Sequence, residues 1–413
     1  MKRIGRFLMS YKISIVIVNF NGKKYIKNLF DSLSKMDSAG LTYEIVFVDN
    51  NSTDDSIQFL TESYREVFPN LKILETKKNL GFAGGNNYGV KHSEGEYIVF
   101  LNNDTAVEKN WLLEMYTFFS SQKNIGMVAS KLIFFYDFIK VQVKTQDKII
   151  ISSNVQINDV SQKVDVKFTK NLLYMDNELT CFGHTVFYLP LIHGLSEYSI
   201  DLQIIKEHDQ TTDFIIIGEN SYSLHEKILL DEDFISNNKV TLIQNAGSGV
   251  DEGFNGFDQG FCEEDQGQYD KAREIDSCCG AAMMIRRDLF IEIGGFDSKF
   301  FMYYEDTDLS YRVKKQGLQL LFCPTALVRH VHTGSSQEWS PFFVFHVYRN
   351  KLLFISKNFK FKIFAKQFIW YVAHVIKEIF FTKQKTSLKK AKLKALFAVI
   401  KISPSYWLKK KMR

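Results

Sequence analysis

Short apolar runs alternate with helical patterns over the first third of the chain. Four runs are rich in β-branched residues, as in buried parallel strands: residues 13–18, 44–48, 72–75 and 97–101. Between and after them, apolar positions recur at helical spacing in residues 24–33, 54–67, 86–92 and 111–119. This alternation predicts βαβ units and a mostly parallel sheet, which is a Rossmann-like α/β fold.

The pattern changes after about residue 135. Residues 136–244 contain short alternating segments separated by Asp, Asn and Ser, with few helical patterns. This predicts a β-rich insert, for which a small sandwich is one arrangement, and it contains no catalytic motif. We interpret the insert as a structural or acceptor-contacting elaboration. Residues 12–135 and 245–340 then form one discontinuous domain.

The C-terminal segment, residues 341–413, is basic. From Phe342 onward there are 18 Lys and Arg and one acidic residue, Glu378, whereas the rest of the chain has 34 basic and 46 acidic residues. Lysines and a histidine interrupt residues 363–381, so no run of about 20 apolar residues could span a bilayer. We expect amphipathic helices on an anionic membrane surface, anchored by Trp370, Tyr371 and Trp407. The alternatives are a solvated basic helix pair or a nucleic-acid-binding segment. We favour the membrane surface and expect no nucleic-acid partner, because aromatic side chains interleaved with the lysines would gain nothing from facing water.

The cysteines and the N-terminus bear on location. Five cysteines, an odd number, show no CxxC pair, which favours a reducing compartment. The basic start has no small-residue cleavage site, and the apolar run after it alternates like a strand, so no signal peptide is predicted. We therefore expect a cytoplasmic protein, peripherally bound to the inner face of the cell membrane.

Polar side chains stand where three of the predicted strands end. Asn19, Asp49 and the run Asn102, Asn103, Asp104 fall there, and α/β sheets bind ligands beyond the carboxyl ends of their strands. An amide oxygen and a carboxylate two residues apart suit Mg²⁺ or Mn²⁺ carrying a diphosphate. The same three residues also suit a turn or a helix N-cap, and the pattern alone does not decide between the two.

A second group of carboxylates is Glu305, Asp306 and Asp308, which follow a run of aromatic residues. Adjacent carboxylates repel, and burial raises the pKa of one of them, which suits a general base. Arg312, four residues after Asp308, predicts a structural ion pair on one helix face.

Two histidines and a glycine-rich stretch complete the candidates. His330 and His332 alternate after a predicted strand, so at most one faces the site. The Gly- and Ser-rich loop at 334–336 could approach phosphates closely. Residues 79–87 are glycine-rich but lack the G-x-G-x-x-G spacing after the first strand, so a dehydrogenase is not predicted.

Six motifs in a fixed order carry a resemblance to a known family. They are SIVIVNFNG, EIVFVDNNSTDDS, NLGFAGGNNYG, YIVFLNNDT, GAAMMIRRDLFIEIGGFDSKFFMYYEDTDLSYRV and LVRHVHTGSS. Together they resemble the inverting family 2 glycosyltransferases of the GT-A fold, particularly rhamnosyltransferase-like members that act in bacterial surface polysaccharide assembly. The resemblance covers about residues 12–135 and 245–351.

The resemblance implies roles for individual residues. The nucleotide-sugar donor would be bound by Asn19, Asn21, Asp49, Asn51, Gly81, Asn86, Asn102 and Asn103. Asp104, Asn102 and His330 would hold Mg²⁺ or Mn²⁺, with Asn102 standing where the family has its first metal-binding Asp. Asp306, or else Glu305, would be the catalytic base, and Gly280, Ala281 and Arg286 would lie on the acceptor side.

The implied reaction is transfer of a sugar, with inversion, from a nucleotide-diphosphate donor to a glycan or lipid-linked acceptor. dTDP-rhamnose or a UDP-sugar is the expected donor. A sugar-nucleotide pyrophosphorylase would need a glycine-rich loop after the first strand, where NFNGKKY stands. The remaining alternative is a catalytically inactive carbohydrate-binding or scaffold protein on the same fold.

Overall fold

The computed structural model describes residues 11–191, 197–206, 213–332 and 338–411. The chain divides into two compact units. The first comprises the residues up to 133, residues 245–259 and residues 268–413. The second comprises residues 134–244 and 260–267.

The N-terminal part alternates strands and helices, as the sequence predicts. The strands are β1 Ile13–Asn19, β2 Tyr43–Asp49, β3 Leu71–Glu75, β4 Tyr97–Asn102, β5 Thr105–Val107 and β6 Ile125–Phe134. The helices are α1 Lys23–Ser34, α2 Ser56–Tyr64, α3 Gly81–Lys91 and α4 Trp111–Ser121.

Helix α3 begins at Gly81, five residues before the predicted start at Asn86. Glycine disfavours helix interiors, and the glycines at 81, 84 and 85 precede the predicted start. Here the missing side chains allow close packing on β1, since a Cβ on Gly89 would lie 2.5 Å from Cγ1 of Val16. Packing therefore outweighs propensity in this helix.

The second unit is built of antiparallel strands. They are β7 Phe138–Lys144, β8 Ile149–Ser152, β9 Asn154–Ile157, β10 Val160–Lys163, β11 Thr169–Met175, β12 Glu178–Pro190, β13 Tyr198–Asp201, β14 Ile204–Lys206, β15 Phe214–Ile217, β16 Asn220–Ser223, β17 Ile228–Leu230 and β18 Lys239–Val240, with helix α5 Glu232–Asn238 and a 3₁₀ turn at Val166–Phe168. A four-stranded sheet (β10-β9-β13-β17) and an eight-stranded sheet (β14-β8-β12-β7-β15-β16, with β11 on β12 and β18 on β7) share one apolar core. The predicted β-rich insert is confirmed.

The remaining elements belong to the first unit, except that β19 spans the boundary at residues 244 and 245. The strands are β19 Ile243–Asn245, β20 Ser248–Val250, β21 Gly256–Asp258, β22 Arg273–Glu274, β23 Ala282–Arg286 and β24 Gln319–His330. The helices are α6 Arg287–Glu292, α7 Glu305–Lys314, α8 Pro341–Asn358, α9 Phe361–Phe381, α10 Thr386–Ile402 and α11 Pro404–Lys411. The helical C-terminal segment is thus confirmed. Within the described ranges, no helix combines the length and the apolar character that crossing a bilayer requires.

The central sheet has the strand order β22-β24-β6-β23-β4-β1-β2-β3. Strand β1 pairs in parallel with β2 and β4, and β2 with β3, whereas β23 runs antiparallel to both β4 and β6. The prediction of a mostly parallel sheet therefore needs correction, because only one half is parallel. The carboxyl ends of β1, β2 and β4 meet at one edge, and β23 begins there, with Ala282 opposite Leu101.

Candidate active site

The carboxyl ends of β1 and β2 carry a network of hydrogen bonds. Asn19 lies opposite Asp49 in the register and is fully buried. Its Nδ2 donates to Oδ1 of Asp49 at 3.2 Å, and its Oδ1 accepts from Nδ2 of Asn103 at 2.7 Å. Ser52 donates from its backbone N to Oδ2 of Asp49 at 2.8 Å and from its hydroxyl to Oδ1 at 2.6 Å. The structure thus brings three of the predicted donor-binding residues together and fixes their orientation.

The loops after these two strands contain the other predicted asparagines. Asn21 and Asn51 both have positive φ angles, 51° and 66°, which asparagine tolerates better than most residues. Oδ1 of Asn21 accepts from the backbone N of Thr53 at 2.7 Å, which ties the two loops together. Asn51 is exposed beside them.

Asn50 is a residue of this edge that sequence reasoning missed. It is buried, donates from Nδ2 to the carbonyl of Gly81 at 2.9 Å and accepts at Oδ1 from the N of Leu80 at 3.2 Å. It therefore fixes the start of α3 against β2. Asn86, predicted for the donor, is also buried, and it donates within α3 to the carbonyl of Phe82 at 3.0 Å.

Asp104 and His330 lie side by side where β4 and β24 end. Nε2 of His330 is 3.1 Å from Oδ1 of Asp104. This buried carboxylate oxygen has no hydrogen-bond partner in the described part of the chain. Two ligands about 2.1 Å from an octahedral ion stand about 3 Å apart. The pair therefore fits two neighbouring positions around one divalent cation.

The third predicted ligand, Asn102, faces the same histidine. Its Nδ2 is 3.3 Å from Nε2 of His330, so the amide presents its nitrogen, and a half-turn would be needed to present its oxygen. No set of three His, Cys, Asp or Glu side chains in the described ranges is arranged to hold a metal. Among the described residues, Asp104 and His330 are thus the two groups placed to act as strong ligands.

The segment before α7 is strained. Phe301, Tyr303 and Tyr304 have φ angles of 68°, 71° and 67°. A non-glycine residue in this left-handed region costs on the order of 1–2 kcal/mol. Such strain concentrates at functional sites, and here it directly precedes the acidic pair that opens α7.

The two acidic residues at the start of α7 have different environments. Asp306 is partly exposed and accepts from the N of Gly280 at 2.9 Å through Oδ2 and from the N of Thr307 at 2.7 Å through Oδ1. Burial raises its pKa above the ordinary value, against the effect of these hydrogen bonds. Glu305 is buried, and its Oε2 has no hydrogen-bond partner among the described residues. Burial, and then the charge of Asp306, raise the pKa of Glu305 well above its usual range. Asp306 is therefore the more accessible carboxylate of the pair.

Asp258, at the end of β21, is a second residue that sequence reasoning missed. Its Oδ1 accepts from Nδ2 of Asn245 at 2.6 Å and from the hydroxyl of Ser248 at 2.8 Å. Solvent reaches the residue, but crowding by protein atoms raises the pKa of its carboxyl to about 6. The negative charge of Asp306 acts in the same direction, and His330 acts against it. The carboxyl of Asp258 is thus electrostatically coupled to Asp306 and His330. No sequence motif marks it, because it is a lone Asp in a glycine-rich stretch.

The predicted acceptor-side residues separate into two places. The Gly280 N–H reaches Asp306, and the carbonyl of Ala281 accepts from the N of Asn102 at 2.9 Å. The prediction for Arg286 needs correction, because it pairs with Tyr97 at the opposite end of β4 and forms an ion pair with Asp288 at 3.1 Å. The antiparallel direction of β23 carries it away from the site.

The segment after β24 is described only in part. Nδ1 of His332 lies 3.4 Å from Oε1 of Glu338, so the two histidines have different partners, as their alternation predicts. The predicted phosphate-approaching loop, residues 334–336, falls outside the described residues.

Comparison with known proteins identifies the family. The model "Glycosyl transferase family 2" matches residues 14–183, and "Glycosyltransferase like family 2" matches residues 257–345, together more than half of the chain. The chain belongs to glycosyltransferase family 2. The family predicted from the six motifs is confirmed.

Relatives of this family 2 chain match it over part of their length. It is 35% identical over 108 residues to poly(ribitol-phosphate) β-N-acetylglucosaminyltransferase TarS of Staphylococcus aureus, covering 26% of this chain and 18% of the relative. It is 40% identical over 69 residues to N-acetylglucosaminyl-diphospho-decaprenol L-rhamnosyltransferase of Mycobacterium tuberculosis, covering 17% of this chain and 22% of the relative. The chain thus spans about a fifth of the length of each.

A solved structure shows the fold. The crystal structure of GalNAc-T7 with UDP, GalNAc and Mn²⁺ superposes with a TM-score of 0.52 at 14% identity, covering 96% of this chain and 57% of that chain. At this identity the likeness concerns the fold alone, and the predicted GT-A fold is confirmed.

Proposed function

We propose that the chain transfers a sugar from a nucleotide-diphosphate donor to a glycan or lipid-linked acceptor, with inversion, in the synthesis of a cell surface polysaccharide. The observation that carries the proposal is a series of adjacent contacts that connects the proposed base, Asp306, to the proposed cation ligands, Asp104 and His330. Asp306 meets Gly280, the next residue Ala281 binds Asn102, and Asn102 adjoins His330 beside Asp104. The activities for which the relatives are named support a surface polymer acceptor, and dTDP-rhamnose or a UDP-sugar is the proposed donor.

The donor would bind along the edge formed by β1, β2, β4 and the start of α3. In this proposal the fixed amides and carboxylate of Asn19, Asp49 and Asn103 bind the nucleotide. Asp104 and His330 would hold Mg²⁺ or Mn²⁺, which neutralises charge on the departing diphosphate. The diphosphate and water would supply the remaining ligands.

Asp306 performs the proton transfer in this scheme. Its carboxylate accepts the proton of the acceptor hydroxyl, and that oxygen bonds to the anomeric carbon of the sugar. The bond from the anomeric carbon to the diphosphate oxygen breaks, and its electron pair leaves with the nucleoside diphosphate. Attack from the face opposite the leaving group inverts the configuration. The Gly280 and Thr307 N–H groups fix the base, which favours Asp306 over the buried Glu305.

The C-terminal helices support an anionic membrane surface as a partner. Six large apolar side chains on α9 are at least half exposed: Phe361, Ile369, Trp370, Ile376, Phe380 and Phe381. Glu378, the one acidic residue of the segment, accepts from Nζ of Lys392 at 2.6 Å and lies 3.2 Å from Nε2 of His374. The outward face is therefore apolar and cationic, which complements anionic lipid.

The predicted anchors need correction. Trp370 is exposed, whereas Tyr371 is 3% exposed and donates from its hydroxyl to the carbonyl of Lys392 at 3.1 Å. Trp407 packs edge-on against Phe361 and Phe364. The helical register of α9 turns Tyr371 inward. We therefore propose Phe380 and Phe381, in place of Tyr371, as membrane anchors.

Release of nucleoside diphosphate tests the enzymatic proposal. Purified protein is incubated with Mg²⁺ or Mn²⁺ and a panel of nucleotide sugars, with and without lipid-linked acceptors. We expect metal-dependent release from one donor, lost in Asp306→Asn and Asp104→Ala. Asp288→Asn, which alters an exposed carboxylate at the far end of the sheet, is the matched control and should retain activity. If the wild type neither releases nor binds any nucleotide, the inactive scaffold protein replaces this proposal.

Vesicle co-sedimentation tests the membrane proposal. We expect binding to phosphatidylglycerol vesicles and weak binding to phosphatidylcholine vesicles, with salt sensitivity. The double variant Phe380→Ser/Phe381→Ser should lose most of this binding. Leu229→Ser, which removes a similarly exposed apolar side chain from the insert, is the control. Equal binding by the double variant and the control would contradict the assigned face.

A further inference from the structure

The loop before the acidic pair is held from outside. Three of its aromatic residues have positive φ angles, so its backbone is strained. The loop would relax to another conformation if the contacts that hold it were removed. Its carbonyls at Phe300, Met302 and Tyr303 converge on one side chain. Because Glu305 follows Tyr304 directly, any relaxation of the loop would move the start of α7.

The converging side chain is Asn350 of α8. Asn350 is fully buried, and its Nδ2 donates to the carbonyls of Phe300 at 2.8 Å, Met302 at 2.7 Å and Tyr303 at 2.7 Å. An amide has only two N–H hydrogens, so three carbonyls share them. Arg349 adds bonds from Nη2 to the carbonyl of Phe300 at 2.6 Å and of Lys299 at 3.2 Å.

The C-terminal end of α8 holds the chain on the other side of the pair. Lys357 donates from Nζ to Oδ2 of Asp308 at 2.8 Å and to Oδ2 of Asp297 at 2.9 Å. Asn358 donates from Nδ2 to Oδ1 of Asp308 at 2.9 Å. Asp308 is fully buried and lies two residues after Asp306. Helix α8 therefore binds the chain both before and after the acidic pair.

We infer that α8 is a brace that sets the position of Asp306, and that Asn350 is its main positioning residue. The inference rests on the proposed function of Asp306 as the base. Asn350 touches neither substrate nor reacting atoms in this scheme; it acts by keeping the strained loop in place, and the loop places Asp306 on the Gly280 N–H. Because a misplacement of about 1 Å costs about 10²-fold in rate, loss of the brace should lower kcat strongly.

Asn350→Asp tests the brace, since it keeps the shape and removes the donor. We expect amide hydrogen exchange in residues 300–306 to accelerate at least tenfold and kcat to fall about 10²-fold. The Kd for nucleoside diphosphate should stay within about threefold, because Asn19 and Asp49 are held by other contacts. Asn70→Asp, which removes a 2.7 Å bond from a side-chain amide to the carbonyl of Tyr43, is the matched control and should change none of these.

Relief of strain gives a readout that a merely structural role would not show. Tyr303→Gly allows positive φ at no steric cost, so in the Asn350→Asp background it should restore part of kcat and of the exchange protection. If Asn350→Asp does not fold, Lys357→Met tests the other end of the brace by the same measurements, with Arg312 still bound to Asp308.

The outcomes separate this inference from the proposed function. Unchanged exchange in residues 300–306, or a fall in kcat that Tyr303→Gly does not reduce, would overturn the brace. A wild type that turns over no donor would overturn the proposed function, while the exchange data would still decide whether α8 holds the loop.

Discussion

Gly81, at the start of α3, is a position where one added methyl group should be strongly destabilising. It has a φ of +70°, and a Cβ there would lie 2.5 Å from the carbonyl oxygen of Phe301 and 2.6 Å from its ring. Alanine at positive φ costs on the order of 1–2 kcal/mol, and overpacking against backbone costs about 1–3 kcal/mol more. Gly81→Ala should therefore lower the free energy of unfolding by about 2–5 kcal/mol.

Gly40 offers a matched control, because its φ is +82° and no atom lies within 4 Å of an added Cβ. Gly40→Ala should lose only the backbone contribution of about 1–2 kcal/mol and keep its activity. All four tryptophans lie outside the insert, so tryptophan fluorescence in urea reports on the first unit alone. In Gly81→Ala, kcat should also fall, because Phe301 belongs to the loop that precedes Glu305. Equal unfolding and equal turnover in the two variants would refute the contact between Gly81 and Phe301.

Three further predictions concern the same site. Burial raises the pKa of Glu305 above its ordinary value of 4.5, so this residue should lower the free energy of unfolding as pH rises from that value. Glu305→Gln should therefore raise the free energy of unfolding, measured in urea, by about 1–3 kcal/mol at pH 8 and by little at pH 5. An equal increase at both pH values would contradict this. Because burial raises the pKa of Asp306 above 3.8, the acid limb of kcat/KM should lie above that value, and a profile flat down to pH 4 would argue against this base. A Cβ on Gly22 would overlap Asn103 and Asn19, so Gly22→Ala should weaken nucleotide binding about tenfold or more by calorimetry, and unchanged affinity would separate that network from the donor.

The strand-end residues could be predicted because they follow from local pattern and general topology. Parallel register places Asn19 opposite Asp49, and Val18 opposite Asn102, once the three strands are recognised. The sequence did not give the direction of β23, because a short apolar run packs equally well in either direction. That direction places Ala281 at the site and Arg286 away from it.

Other site residues depend on contacts that no local pattern records. Asn50 was missed because its partners, Leu80 and Gly81, lie about thirty residues away. Asp258 and Asn350 were not predicted for the same reason. Asp258 interacts with Asp306, and Asn350 binds the carbonyl of Phe300, each about fifty residues away in the chain. Polar residues in loops and on helices are ordinarily solvated, so only the fold distinguishes these from their neighbours.

The C-terminal helices connect the two proposed properties of this chain. Tyr348 on α8 contacts the ring of Tyr371 on α9 at 5.4 Å between centroids, and Tyr371 binds the carbonyl of Lys392 on α10. Buried residues of α8, α9 and α10 share one apolar cluster with Phe300 and Tyr304 at either end of the strained loop. Under the proposed function, the exposed face of α9 and the base at the start of α7 are thus separated by a single packed helix. An acceptor presented at a membrane would then meet an active site whose base is held by the same helices that bind the lipid surface.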